Sequence, residues 1–283
     1  MKFSCGITLY NSSLEELEKM LKYDKVFERV YLYDNTENCE KRLVNKNFFL
    51  DKTKFVYTTN KGNNGLSIAY NVMCKNAIYE NCDFICILDQ DSYISCETIQ
   101  NIIERIKNDN RKNVGIYAPI IKYNHKNSLR NDKQNTESEV DWVISSGSFV
   151  NLKAFKATGG FDEKYFIDRL DYDFCMRVKQ SGYIILRFGD IVLNQNLGDT
   201  KKLIWSNISQ HNPIRHYYMF RNRLYFYLKK MPKKFLVIPK VFLLSVKHLI
   251  QVCLFEDNKL EKFKMIYRGW GDFKNEKMGK FRP

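Results

Sequence analysis

The chain has 283 residues, 44% hydrophobic and 14% aromatic, which suffices for a full core and excludes a disordered chain. Eight scattered cysteines with no C-x-x-C pair, and four dispersed histidines, argue against both a disulfide framework and a zinc site. The formal charge of +14 is unevenly placed: residues 1–200 carry 27 Lys+Arg and 27 Asp+Glu, while residues 201–283 carry 19 and 5.

Met1-Lys2-Phe3-Ser4-Cys5-Gly6-Ile7-Thr8 reads as a strand, its apolar stretch being too short for a signal peptide. Further apolar or β-branched runs fall near 28–33, 53–58, 83–88 and 114–118, separated by helical periodicity at about 12–22, 65–80 and 96–108. Ser12 or Ser13 is placed to cap the first helix ahead of Glu15 and Glu16. Alternation of this kind favours an α/β protein with a mostly parallel sheet and helices on both faces. Ligands of such sheets gather at the carboxyl ends of the strands. Here those ends read Thr8-Leu9-Tyr10-Asn11, Asp34-Asn35, Thr59-Asn60 and Asp89-Gln90-Asp91, all polar.

The fourth end carries the most chemistry. An apolar run, Phe84 to Leu88, stops at two carboxylates one residue apart, Asp89 and Asp91. Either they form a solvated turn, or they share a cation that offsets their repulsion. Hard divalent ions such as Mg²⁺ or Mn²⁺ take oxygen ligands and are often shared with a substrate diphosphate. Gly62-Asn63-Asn64-Gly65 opens the helix after the third strand, either as an ordinary turn or as a close approach to phosphate or ribose. It is not a Walker loop, because no Gly-Lys-Ser/Thr follows.

Residues 122–139 are polar and rich in Asn and Lys, after which Val140-Asp141-Trp142-Val143-Ile144 and Ser145-Ser146-Gly147-Ser148 follow. The segment from Gly159 to Arg177 holds Asp162, Glu163, Asp168, Asp171 and Asp173. With a helix over Leu170–Gln180, Asp171 and Asp173 lie in its first turn, and Asp173 faces Arg177 at i, i+4. These acids either stabilise that helix end or include a general base. His125, His211, His216 and His248 stand apart and read as surface or packing residues. Beyond about 211 the pattern is mainly helical. Phe235 to Ile250 is long and apolar, but Pro239, Lys240, Lys247 and His248 speak against a span, and an interfacial helix on anionic headgroups fits better.

In this order the motifs resemble the inverting, nucleotide-sugar-dependent glycosyltransferases of family 2, most closely the bacterial rhamnosyltransferase type. The resemblance rests on Thr8 to Asn11, Asp34-Asn35, Asn64-Gly65 to Asn71, Leu88 to Ser92, Ser146-Gly147, and Gly160 to Arg177. It continues through Leu197-Gly198-Asp199, Arg215 to Asn222, and Arg268-Gly269-Trp270 with Asp272. It implies a GT-A fold, a Rossmann-like mixed sheet flanked by helices, over residues 1–210, with a nucleotide-sugar half (about 1–120) and an acceptor half (about 121–210). A helical, basic, membrane-associating tail would occupy 211–283. Thr8, Tyr10, Asn11, Asp34, Asn64, Gly65, Asp89 and Gln90 would line the nucleotide-sugar pocket. Asp91 with Asp89 would hold Mg²⁺ or Mn²⁺, and Trp142, Ser146 and Gly147 would lie on the acceptor side. Asp171 is the expected base and Asp168 its rival, since Leu170 stands where the family usually has an acid. Gln195 stands where the family often has a metal-contacting histidine.

The implied reaction moves a sugar, rhamnose or similar, from a dTDP- or UDP-sugar to a glycan or lipid-linked glycan in surface polysaccharide synthesis. The implied location is the cytoplasmic face of the cell membrane. Two other classes are weighed. A nucleic-acid-binding protein would use the basic tail but leaves the acidic constellations of the body unused. A nucleotidyltransferase would usually show a Gly- and Arg/Lys-rich triphosphate loop near the N-terminus, which is absent here.

Overall fold

A computed structural model describes residues 1–123, 137–195, 200–202, 207–209, 211–232 and 234–283. Its centre is β1 (Phe3–Leu9), every residue of which is buried. β1 is flanked in parallel by β2 (Arg29–Asp34) and β4 (Phe84–Asp89), and β3 (Phe55–Thr59) pairs in parallel outside β2. Beyond β4 the sheet turns mixed. β7 (Ser148–Asn151) runs antiparallel to both β4 and β5 (Val114–Tyr123), β8 (Ile184–Gln195) is parallel to β5, and β6 (Glu137–Glu139) closes the edge antiparallel to β8. The order β3-β2-β1-β4-β7-β5-β8-β6 is that of a mixed α/β sheet, less parallel than strand–helix alternation alone suggests. A separate two-stranded ribbon joins β9 (Thr200–Lys202) and β10 (Asn207–Ser209).

The pleat sorts apolar side chains to two faces. Phe84, Cys86 and Leu88 of β4 join Cys5, Ile7 and Leu9 of β1 in one core, beneath α1 (Leu14–Met20) and α4 (Cys96–Asn108). Ile85 and Ile87 point the other way, into a core shared with α3 (Leu66–Tyr79), α5 (Leu152–Thr158) and α6 (Leu170–Gln180). Ser13 caps α1 in a capping box with Glu16, and Ser95 caps α4. α4 buries Ile99, Ile102, Ile103 and Ile106, one helical stripe worth about 1.5–3 kcal/mol per side chain. Helix α2 (Cys39–Phe49), which the sequence pattern does not announce, buries only Asn45 and Phe49.

The C-terminal helices are α7 (Pro213–Tyr225), continued by a π-helical turn over Phe226–Lys230, then α8 (Lys234–Phe255) and α9 (Lys259–Lys274). Phe220, Leu224 and Tyr225 of α7 belong to the same core as β2 and α3. The helical part expected over 211–283 is thus packed into the α/β body at its first helix. His216 and His248, 32 residues apart, meet at 2.8 Å in the interior. Glu256 lies 2.8 Å from both His216 and Lys262 there, so these two histidines are packing residues joined in a buried network across the three helices. Five cysteines, Cys5, Cys74, Cys82, Cys86 and Cys175, are buried free thiols, in keeping with the sequence reading.

Candidate active site

Parallel pairing of β1 with β2 and β4 brings three polar tips side by side. Thr8 sits opposite Asp89, and Leu9 opposite Asp34. The Thr8 hydroxyl is buried without a hydrogen-bond partner among the described residues. Gln90 brackets the two loops: its Oε1 accepts from the Tyr10 amide at 2.7 Å and from Ser12 at 2.8 Å, and its Nε2 donates to the Tyr10 carbonyl at 3.1 Å. Gln90 therefore holds the pocket rim through its amide, while the Tyr10 ring stays exposed. Asn11 takes a left-handed conformation, φ +52°, and its amide donates to Thr36 Oγ1.

Asp34, expected in the nucleotide-sugar pocket, lies at the exit of β2. It is wholly buried, accepting from the Thr36 amide at 2.8 Å, Asn45 at 2.8 Å and the Tyr57 hydroxyl at 2.7 Å. With these three internal donors the carboxylate organises the β2 exit. Gly65 likewise earns its place by packing. With φ +85°, a Cβ there would lie 2.4 Å from the Phe166 carbonyl, which accepts from the Leu66 amide at 2.8 Å. The first amide of α3 is thus occupied by the acidic loop. The Asn64 amide donates to Asn35 Oδ1, tying the glycine loop to the β2 tip.

Asp89 and Asp171 are brought together by three consecutive residues. The Ser145 amide (3.1 Å) and hydroxyl both donate to Asp171 Oδ1. Ser146 Oγ accepts from the Asp89 amide at 3.4 Å and bonds Ser92 Oγ at 2.7 Å. The Gly147 amide, at φ +80°, donates to the Ile87 carbonyl at 2.7 Å. The expected acceptor-side residues Ser146 and Gly147 therefore fasten the segment carrying Ser145 to the end of β4. Trp142, half exposed, stacks on Tyr172 at 4.3 Å, and the Arg169 guanidinium lies 4.7 Å from the Tyr172 ring.

The electrostatics follow from this crowding. Burial pushes Asp89 up to about 6, and the charges of Asp91 and Asp171 add to the rise. Burial also raises Asp171 to about 6 against the opposing pull of its two Ser145 bonds. Asp91, more exposed, is raised by desolvation and by Glu16. A cleft of about 300 Å³ opens beside Asp89, Gln90 and Asp91, lined further by Glu16, Lys22 and Tyr93, a volume within the range of small-molecule sites. Among the described residues no group of three or more metal-ligating side chains is assembled.

The other acids of the loop have internal partners. Asp173, fully buried, pairs with Arg177 at 2.7 Å, the helix-stabilising pairing that the sequence allowed. Asp162 is held by Lys230 at 2.7 Å and the Tyr225 hydroxyl at 3.0 Å. Asp168 lies 3.5 Å from Arg215, with its Oδ2 buried and lacking a hydrogen-bond partner among the described residues. Asn71 in α3 clamps the loop through both main-chain groups of Phe161. Sequence reasoning passed over Ser145 and Tyr70, whose hydroxyl donates to Asp89 Oδ1 at 3.3 Å. Ser145 sits one residue before a motif position, whereas nothing in the order of residues points to Tyr70. The Gln195 side chain and residues Asn196 to Asp199 lie outside what is described.

Comparison with known proteins adds four findings. The model of the family "Glycosyl transferase family 2" matches residues 4–165. The dTDP-rhamnosyl transferase RfbF of Shigella flexneri is 28% identical over 275 residues, 91% of this chain and 90% of that protein. Among solved structures, S. aureus TarS 1–349 superposes with a TM-score of 0.58 at 17% identity, over 96% of this chain and 80% of that one. GalNAc-T7 with UDP, GalNAc and Mn²⁺ gives 0.61 at 12% identity, over 98% of this chain and 56% of that one.

Proposed function

The chain belongs to glycosyl transferase family 2, and from that premise we propose an inverting glycosyltransferase that uses a divalent cation and a dTDP-linked sugar, rhamnose or a close relative. The observation that carries this reading is the Ser145-Ser146-Gly147 bridge, which sets Asp171 and Asp89 on neighbouring serines at the carboxyl edge of the sheet. The similarity to a dTDP-rhamnosyl transferase supports the donor.

Asp89 and Asp91 are the residues that would hold Mg²⁺ or Mn²⁺. The fit rests on their chemistry: oxygen donors whose pKa values burial raises, with the charges of Asp91 and Asp171 adding to the rise at Asp89 and that of Glu16 at Asp91. Such ions are commonly held by one or two carboxylates plus substrate phosphates, which suits the sparse protein ligand set. When bound, the ion supplies neutralisation of charge on the departing nucleoside diphosphate.

This chain's own residues do the rest. The Gln90 bracket keeps the β1 and β4 exits in register beside Asp89. Ser145 fixes the plane of the Asp171 carboxylate. Asp171 takes the proton of an acceptor hydroxyl as that oxygen bonds to the anomeric carbon. The bond from that carbon to the diphosphate breaks on the opposite face, and configuration inverts. The Trp142–Tyr172 stack gives the acceptor sugar an aromatic face next to this base.

The acceptor is a glycan, lipid-linked at the inner face of the cell membrane. Helix α8 is long and apolar enough from Leu236 to Phe255 to cross a membrane by length and composition. Its Val237, Val241, His248 and Val252 are nevertheless buried in the protein, while Leu236, Phe242, Leu243, Ile250 and Leu254 are exposed. A two-sided helix of this kind supports interfacial contact better than a span.

The test is transfer from dTDP-rhamnose with Mg²⁺ or Mn²⁺, beside UDP-sugars, by wild type, Asp91→Asn and Asp171→Asn. Each variant should keep its fold, and loss of the base should cost about 10²–10⁴-fold in turnover. Undiminished transfer by both variants removes the assignment.

A further inference from the structure

The loop that delivers Asp171 does not hold its own shape. Asp168 and Arg169 both occupy the left-handed region, with φ +63° and +68°. Each such residue costs roughly 1–2 kcal/mol, so a consecutive pair persists only where its surroundings impose it. Asp visits this region more readily than most residues but Arg does not, so the sequence relieves only part of the strain. The constraint comes from α7. Asn222, wholly buried, donates its Nδ2 to the carbonyls of Ile167 at 2.6 Å and Asp168 at 3.2 Å. Those are the peptide groups on either side of the first strained residue.

Asn222 is itself oriented. Its Oδ1 accepts from Arg221 Nε at 3.1 Å, which fixes which end of the amide faces the loop. Arg221 is also wholly buried, and its two remaining nitrogens are spent on the chain's C-terminal segment. Nη1 donates to the Tyr217 hydroxyl at 2.8 Å and the Lys277 carbonyl at 3.3 Å, and Nη2 donates to the Gly279 carbonyl at 2.8 Å. That segment returns to the acidic loop, because the Gly279 amide donates to the Lys164 carbonyl at 2.9 Å. The Phe281 amide donates to the Tyr218 hydroxyl at 2.7 Å, and the Tyr218 ring stacks on Phe166 at 5.0 Å. The loop, α7 and residues 277–281 are therefore one closed circuit of hydrogen bonds. A buried guanidinium whose carboxylate is reached only through Tyr217 is an expensive way to join helices that apolar contacts already join. Its directionality is what apolar contacts lack.

We propose that Asn222, oriented by Arg221 and the C-terminal segment, is a positioning residue that sets the Asp171 carboxylate for proton abstraction; this rests on the reading of Asp171 as the base. Asn222→Asp is the sharpest probe. It keeps shape and the acceptor for Arg221, gains an ion pair with it, and sets an acceptor oxygen against the two carbonyls in place of the donor, so that the clamp becomes a repulsion. Turnover should fall about 10²-fold, the cost of an ångström-scale misplacement. Donor KM and the rise in Tm on adding dTDP-rhamnose should stay at wild-type values, because the donor rim is built from β1 and β4. The acid limb of kcat should move to higher pH, since a displaced Asp171 loses the Ser145 bonds that favour its charged form.

Arg221→Lys, which keeps the charge but not the Nε bond, should give the same signature more weakly, and serves if the first variant does not fold. Wild-type kcat and pH limb in a folded variant would overturn the inference. So would a fall in kcat that tracks a fall in Tm and a rise in donor KM, the mark of a merely structural role. Asp171→Asn run in parallel separates the two readings. An inactive Asp171→Asn beside a fully active Asn222→Asp overturns the positioning alone, whereas an active Asp171→Asn removes the base and the inference with it.

Discussion

Asp171 is a carboxyl whose charge state is decided by opposing neighbours. Burial raises it, the Ser145 hydroxyl and amide pull it back, and Asp168 pushes it up again, leaving it at about 6. The base proposed here must be unprotonated to act, so the sign is fixed: activity should be present above pH 6 and fall by about tenfold per pH unit below it. The acid limb of kcat/KM reads the direction of this dependence. Ser145→Ala removes the hydroxyl bond that favours the carboxylate, so its limb should shift to higher pH while activity at pH 8 changes little. An unmoved limb would separate Ser145 from the base. The neighbouring residues show what sequence does and does not reveal. Asp89 and Asp91 stand out in the sequence as two carboxylates that close an apolar run, whereas among the five acids of the later loop it is the family resemblance that favours Asp171. The partners of Asp34 were not legible, because a carboxylate at a strand tip looks the same in sequence whatever distant segments, here Asn45 and Tyr57, reach it.

At the scale of elements, the α3 entrance and α8 make separate predictions. Gly65 combines a positive φ with a clash against main chain, the one kind of neighbour that cannot swing aside. Gly65→Ala should lower stability by about 3 kcal/mol, seen as a fall in Tm of about 5–10 °C. A wild-type Tm would mean that the Phe166 contact is loose. On α8, Phe242→Glu with Leu243→Glu changes side chains that touch water in the free protein. Tm should hold, and sedimentation with anionic vesicles should be lost. Vesicle binding at wild-type strength would move the membrane contact elsewhere. Most elements were legible: β1 to β4, α1, α3, α4 and α6 fall where periodicity puts them. α2 was not, because its buried side is a polar Asn45 and a terminal Phe49, which leave no apolar stripe to read. Nor were the antiparallel partners β7 and β6, since strand direction depends on what each segment meets and not on its own pattern.

The whole molecule separates its charge: balanced carboxylates and cations in the α/β body, and 19 Lys+Arg against 5 Asp+Glu over residues 201–283. Some of those cations face inward, as Arg221, Arg223 and Lys262 do, while Lys240, Lys247, Lys259 and Lys264 lie at or near the surface of α8 and α9. Attraction between surface charges separated by water is screened over about 10 Å at 0.1 M salt, whereas apolar burial is not weakened by salt. A tail that used lysines alone, as on nucleic acid, would lose binding with a steep linear slope in log K against log salt. A tail that lays Leu236, Phe242 and Leu254 into an interface with lysines alongside should behave differently. Binding to vesicles containing anionic lipid should weaken as NaCl rises from 0.05 to 0.5 M and then level off at a residual affinity, which the α8 double substitution abolishes. Duplex DNA measured in the same series should compete poorly at 0.15 M. Retention on DNA with a slope of several charges, together with complete release from vesicles by salt, would reverse the assignment of the tail and return it to nucleic acid.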